Sequence, residues 1–144
     1  MLIVRKGTLG EVININKTIK EFEKHFSKNY FEDRLKGKDA LICIGLVDQN
    51  PAGFAICWTD VFNKWVYIWA VAVNQKYRKQ GVMRAMLTFE ENWAKKKGFH
   101  RIKLNVNNAR REMLLANIKL GYSITGVELH ETIDGCRVFF EKRI

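Results

Sequence analysis

Arg78, Lys79, Gly81 and Arg84 fall within the stretch YRKQGVMRAML, residues 77–87. Such a group can hold an anion. Cations attract phosphate, a glycine lets it approach the backbone, and the amides opening a helix offer it unpaired N–H groups. An amphipathic helix follows at once: Val82, Met86, Phe89 and Trp93 are spaced 4, 3 and 4, with Met83, Leu87 and Ala94 beside them. A strand apolar on both faces, Trp65–Val73, precedes. Strand, glycine turn and helix together form the context a pyrophosphate cradle requires. The stretch lacks the G-x-x-x-x-G-K-[ST] of a nucleotide P-loop and the G-x-G-x-x-G of a dinucleotide fold. Taken alone, it reads equally as a charged turn heading a surface helix.

The elements that must position this turn follow from periodicity. Met1 to Gly7 reads as a short strand. Thr8-Leu9-Gly10-Glu11 has the form of a capping box. Leu9, Val12, Ile13, Ile19, Phe22 and Phe26 then recur at helical spacing, predicting a helix from about residue 8 to 25. A shorter helix is expected at 30–36, ending at Gly37. Apolar runs at 41–47 and 53–58 flank Asp48-Gln49-Asn50-Pro51 and predict an antiparallel hairpin. The helix that opens at Val82 ends near Lys95-Lys96-Lys97-Gly98, where the lysines suit the helix dipole. A strand at 100–106 alternates, with Ile102, Leu104 and Val106 opposite Lys103 and Asn105. A helix at about 109–120 closes at Gly121-Tyr122, and strands near 123–129 and 135–142 turn at Asp134-Gly135. The expected class is α/β: a mixed sheet flanked by helices, in the order β-α-α-β-β-β-α-β-α-β-β.

Composition sets the bounds. A chain of 144 residues with 47% hydrophobic and 28% charged residues fits one domain with a real core. One proline and no Gly/Ser-rich segment argue against a linker. No apolar run is long enough to span a membrane, and the first residues lack the order of a signal peptide, so a cytoplasmic location is the expectation. Cys43, Cys57 and Cys136 show no metal-ligand spacing, so no metal is expected, and Cys43 and Cys57 read as small core residues. The net charge of +10 attracts anions without choosing among nucleic acid, acidic lipid and a phosphorylated small molecule.

The run Ala70-Val71-Ala72-Val73, followed by Tyr77-Arg78-Lys79-Gln80-Gly81-Val82 and a helix, resembles the acetyl-CoA motif of the GNAT acetyltransferases. In that motif a strand leads to R/Q-x-x-G-x-G/A at a helix start. Leu120-Gly121-Tyr122 is similar to the end of the same family's second CoA element, and the element order matches throughout. The resemblance implies acetyl-CoA as co-substrate and an amine as acceptor. It implies that the strand ending at Val73 splays from its neighbour, so that main-chain groups of Val71 and Val73 pair with the pantetheine arm. The amides of Lys79, Gln80, Gly81, Val82, Met83 and Arg84 would hold the pyrophosphate, with Arg78 or Lys79 at the adenosine phosphate. Met83 stands where the family keeps a small residue, so its side chain must turn into the core. The family often dimerises, and a homodimer is left open.

The catalytic side matches the pattern less well. Some N-terminal-amine acetyltransferases of this family keep a glutamate and a tyrosine that would fall here at Asn105 and Asn117, neither an acid nor a base near neutrality. An asparagine common at the last helix start would fall at Arg110, with Asn107 and Asn108 close by, and Asn108 is taken as the nearest substitute at the cofactor. Asn117 remains a candidate for hydrogen bonding near the thiol. Tyr67 and Tyr122 are the remaining catalytic candidates, with Trp69 on the same strand as Tyr67, although Tyr67 reads first as core packing. Glu128, His130 and Glu131 lie by the last hairpin. The expectation is a base-poor site that uses a water chain or an acceptor amine of low pKa. Two other readings stand beside an active N-acetyltransferase: a CoA-binding sensor without turnover, and a basic nucleic-acid-binding module. No helix-turn-helix, zinc or RNP signature favours the last, so no specific nucleic acid is expected.

Overall fold

The computed structural model describes residues 1–22 and 26–144. Seven strands and four helices alternate as β1 (Leu2–Lys6), α1 (Leu9–Asn16), α2 (Lys28–Leu35), β2 (Ala40–Val47), β3 (Asn50–Asp60), β4 (Trp65–Val73), α3 (Val82–Lys96), β5 (Arg101–Asn107), α4 (Arg111–Lys119), β6 (Ser123–Glu128) and β7 (Arg137–Arg143). The expected order is borne out. The strands form one mixed sheet, β1-β2-β3-β4-β5-β7-β6, in which only β4 and β5 run parallel.

Local chemistry explains most boundaries. Thr8 caps α1 through the Glu11 amide while the Glu11 carboxylate accepts from the Thr8 amide at 3.0 Å, completing the capping box. The helix predicted over 8–25 stops at Asn16. Asn and β-branched residues crowd its last turns, and the Thr18 hydroxyl donates to the Ile15 carbonyl at 2.6 Å, competing with helix continuation. The chain continues in tight i→i+3 turns as far as Phe22, keeping Ile19 buried. The end of the predicted helix, residues 23–25, lies outside the described residues. Asp48 and Gln49 both take positive φ, 47° and 70°, which makes the β2–β3 connection a two-residue turn suited to strand twist. β3 therefore starts at Asn50, and Pro51 sits within the strand beside a bulge at Gly45/Leu46.

Two cores lie on opposite faces. Val12, Ile15 and Phe31 from α1 and α2 pack on Ile44, Phe54 and Ile56. On the other face α3 packs Val82 and Met86 on Cys43 and Ala55, and Leu87 on Val66 and Ile102. Gly45 permits the close crossing, because a Cβ there would stand 2.8 Å from Val82 Cγ1. Cys43 and Cys57 are buried, as expected, and burial pushes both thiols up. No described helix is long and apolar enough to cross a membrane.

Candidate active site

The site begins with a register error built into β4. Ile56 pairs with Ala70 and Cys57 with Ile68, so Trp69 is an extra residue in the strand. The bulge reverses the alternation. Val66 and Ile68 enter the α3 core, whereas Trp69, Ala70 and Ala72 pack toward α1 and α2. β4 pairs with β5 only at Val66–Ile102 and Tyr67–Lys103. Beyond Tyr67 the two strands separate, as the family resemblance implies, and a cleft of about 360 Å3 opens between them.

One wall of the cleft is Ile68 to Val71 of β4, and the facing wall is Leu104 to Asn107 of β5. Met83 of α3 and Met113 and Asn117 of α4 close one side. Met83 also packs against the α3 core, so its side chain turns inward as its departure from the family pattern requires. Phe22, Phe26, Tyr30 and Phe31 close the other side, with Asn16, Arg110 and Arg137. No aspartate or glutamate lines the cleft among the described residues.

Two buried amides in this lining lack partners. Asn117, 1% exposed, donates through Nδ2 to the Met113 carbonyl at 2.9 Å, but its Oδ1 accepts nothing. Asn16, 2% exposed, has a Nδ2 that donates to nothing. A buried amide group without a partner costs about 1–3 kcal/mol, so these atoms suit a bound molecule that supplies a donor and an acceptor.

At the mouth, Asn74 caps the short 3-10 turn Gln75–Tyr77, and the chain then reverses through Lys79 at φ 61° and Gly81 at φ 84°. Gly81 is the N-cap of α3 and brings no side chain, so the first amides of a 15-residue helix are left uncapped. The geometry fits an anion. Among the cations, Arg78 is already engaged: Nε donates to the Val73 carbonyl at 3.0 Å, and Nη1 donates to Glu21 at 2.9 Å. The Arg78 guanidinium holds the Glu21 carboxyl below its ordinary range. Lys79 and Arg84 are exposed and make no ion pair with a described residue. Gln80 turns back toward the Lys76 carbonyl.

The catalytic candidates separate. Tyr67 and Asn105 meet: Asn105 Nδ2 donates to the Tyr67 hydroxyl at 2.9 Å, and Arg137 Nη1 donates to Asn105 Oδ1 at 3.0 Å. The Tyr67 proton is thereby left to point elsewhere. Tyr122 does not reach the cleft. It is buried in the α3 core, and its hydroxyl donates to Glu91 at 3.1 Å. Asn108 is also drawn away, donating through Nδ2 to the Ile133 carbonyl and through its amide to Cys136. His130 is paired with Glu128 on the last hairpin. Asn16, Tyr30 and Arg137 were not anticipated, although Asn16 stands at the i+7 place of the stripe begun by Leu9.

The sequence model of the Acetyltransferase (GNAT) family matches residues 11–122. This chain belongs to the GNAT family. Solved GNAT-like structures agree in fold over the whole chain. The ribosomal-protein-S18-alanine N-acetyltransferase of Escherichia coli superposes with a TM-score of 0.83 at 20% identity, covering 100% of this chain and 94% of that one. Ard1 from Thermoplasma volcanium gives 0.82 at 14% identity over 99% and 97%. A protein of Bacillus anthracis str. Ames, described as a streptothricin acetyltransferase and solved in complex with acetyl coenzyme A, gives 0.78 at 18% identity over 100% of both chains. No curated protein sequence matches. Within the GNAT fold, the β4–β5 cleft and the glycine turn before α3 are the features that this chain shares with its resemblance-based expectation.

Proposed function

We propose that the protein is an acetyl-CoA-dependent N-acetyltransferase acting directly on an amine. The single observation that supports the reading is the β4–β5 cleft, lined by Met83 in the first turn of α3, whose N-cap Gly81 leaves the helix start uncapped, and by Asn117, whose buried Oδ1 has no partner. Acetyl-CoA, when bound, supplies the activated thioester. The amides of residues 80–84 would face its pyrophosphate, with Lys79 and Arg84 neutralising charge. The Asn117 Oδ1 would accept from an N–H or S–H of the arm lying in the cleft. The transfer is balanced without an enzyme intermediate: the amine nitrogen bonds to the acetyl carbon, the carbon–sulfur bond breaks, and one proton passes from nitrogen to sulfur.

The residues bear on that proton unequally. With no carboxylate among the described lining residues, none of them takes it from a lysine-like amine, whose deprotonation at pH 7 costs roughly 4–5 kcal/mol against about 1 for an α-amine. The Tyr67 hydroxyl, held by Asn105 of the cleft wall, is a phenolic donor at the point where β4 and β5 splay. Its role would be to give a proton toward the leaving thiolate or a bridging water. The missing carboxylate also favours a second reading, a CoA-binding sensor without turnover.

Release of free CoA thiol over a panel of amines tests both readings. A rate that rises along the acceptor's own ionisation supports the base-poor transferase. A bell-shaped profile with an enzyme pKa near 6–7, abolished by one substitution, contradicts the base-poor mechanism. Binding without turnover on any amine leaves the sensor.

A further inference from the structure

The unused chemistry of the cleft lies on its aromatic side. Tyr30 and Phe31 meet Trp69 with ring centroids at 6.1 and 5.7 Å, and Trp69 meets Trp58 at 5.5 Å. Phe26 stacks on Tyr30 at 4.0 Å and is 44% exposed. An aromatic body could extend this stack, since offset and edge-on ring pairs add to simple burial. The polar groups on the same side are hydrogen-bond donors: the orphaned Asn16 Nδ2 and the guanidinium groups of Arg110 and Arg137.

Arg137 has no carboxylate ion-pair partner among the described residues, whereas the charge of Arg110 is felt by the Glu21 carboxyl, which is chiefly engaged by Arg78. Glu128 faces Arg137 in the β6–β7 register, yet its carboxylate is turned to His130 at 2.7 Å. Arg137 makes one bond, to Asn105. Arg110 stands over the Phe22 ring at 5.3 Å. The described lining, with cations, a buried unpartnered donor and no carboxylate, disfavours a polyamine or aminoglycoside. It complements an anion. A guanidinium presents a planar fork matched to a carboxylate.

Building on the acetyltransferase reading, we propose that the acceptor is a small aromatic monoamine that also carries a carboxylate. Its ring would lie against Trp69 and Tyr30, and its carboxylate would meet Arg137, with Asn16 donating to the same molecule. A cleft of about 360 Å3 is of the size that holds a small molecule.

The experiment compares kcat/KM on matched pairs, phenylalanine against phenethylamine and 4-aminobenzoate against aniline, with spermidine as a polycation. The proposal expects the carboxylated member to lead by at least tenfold in one pair or both, with spermidine below it. Arg137→Gln should reduce that ratio to within about threefold while the KM for acetyl-CoA holds within about twofold. Arg137→Lys, which keeps charge without the fork, should retain an intermediate ratio, and a melting curve on each variant separates misfolding from lost recognition. A lead for the neutral member or for spermidine overturns the proposal. So does a ratio unmoved by either Arg137 substitution, or no turnover on either pair. Acetyl-CoA binding is measured alongside: its absence removes the transferase reading, whereas binding without the carboxylate preference removes only this assignment of the acceptor.

Discussion

Arg78 Nε donates to the carbonyl of Val73 at 3.0 Å, closing the end of β4 against the loop that leads into α3. The same guanidinium grips Glu21, and Asn74 donates to the Thr18 hydroxyl at 2.8 Å. The segment after α1 is thus tied at two points to the strand end beside the cofactor loop. Arg78, which the family motif suggests for a phosphate, is the cation of that loop already in use.

Glu21→Gln tests this brace. The carboxyl is held below its ordinary range by Arg78, so the pair adds stability above the usual carboxylate pKa and loses it as pH falls through the depressed value. Both partners are partly exposed, 33% and 43%, so the contribution is at most about 1 kcal/mol. Urea midpoints of wild type and variant should differ at pH 7 and draw together as the pH falls through the depressed value. A constant difference across that range would contradict the assignment.

Gly81 and Lys79 should respond oppositely. Both have positive φ, but only Gly81 carries no Cβ penalty. Gly81→Ala should cost about 1 kcal/mol from backbone strain, since its Cβ would meet only Leu2 Cδ2 at 3.9 Å. Lys79→Gly should stabilise by up to about 1 kcal/mol while weakening acetyl-CoA binding several-fold through lost charge. Chemical denaturation and cofactor titration on each variant check the two signs.

Asn117→Leu separates stability from binding. The substitution removes a buried oxygen with no partner together with the Nδ2 bond to the Met113 carbonyl, and the two effects offset, so the stability of the free protein should change by no more than about 1 kcal/mol. If that oxygen awaits the cofactor, affinity for acetyl-CoA should fall about tenfold or more, the ratio of a lost hydrogen bond worth about 1.4 kcal/mol or above. Equal affinity would mean that Asn117 only braces α4.

Element order was legible because periodicity and caps agree along the chain. Thr8 and Glu11 announced α1, and the alternation of β5 placed Ile102 and Leu104 inside. The bulge was not legible. Tyr67, Trp69 and Val71 read as one face of a strand, and only the pairing with β3 shows that Trp69 turns the alternation over. The cofactor side of the site could be read because it depends on backbone geometry signalled by Gly81. The acceptor side could not, because Asn16, Tyr30 and Arg137 come from three distant elements with no shared spacing. One signal went unused: Asn16, Glu90 and Asn117 are polar residues at stripe positions of their helices, and all three are buried.

Glu90 gives a prediction of its own. It is fully buried in the α3 core beside the Cys57 thiol, and burial raises its carboxyl well above the ordinary value. The folded chain favours its protonated form more than the unfolded chain does. Stability should therefore fall as pH rises above about 4.3, by up to about 1.4 kcal/mol per pH unit, until the folded-state pKa is reached. Glu90→Gln and Glu90→Met should both flatten that slope, gaining on wild type as pH rises above the ordinary carboxylate value. Parallel denaturation profiles for wild type and variants would contradict it.

Acetyl-CoA binding tests the central claim most directly, through the melting temperature of the wild-type protein with and without the compound. At 100 times Kd the ligand should add about 2.7 kcal/mol, raising the melting temperature by roughly 5–10 °C. Adenosine without the phosphates should give much less. A melting temperature unmoved by millimolar acetyl-CoA would contradict the account.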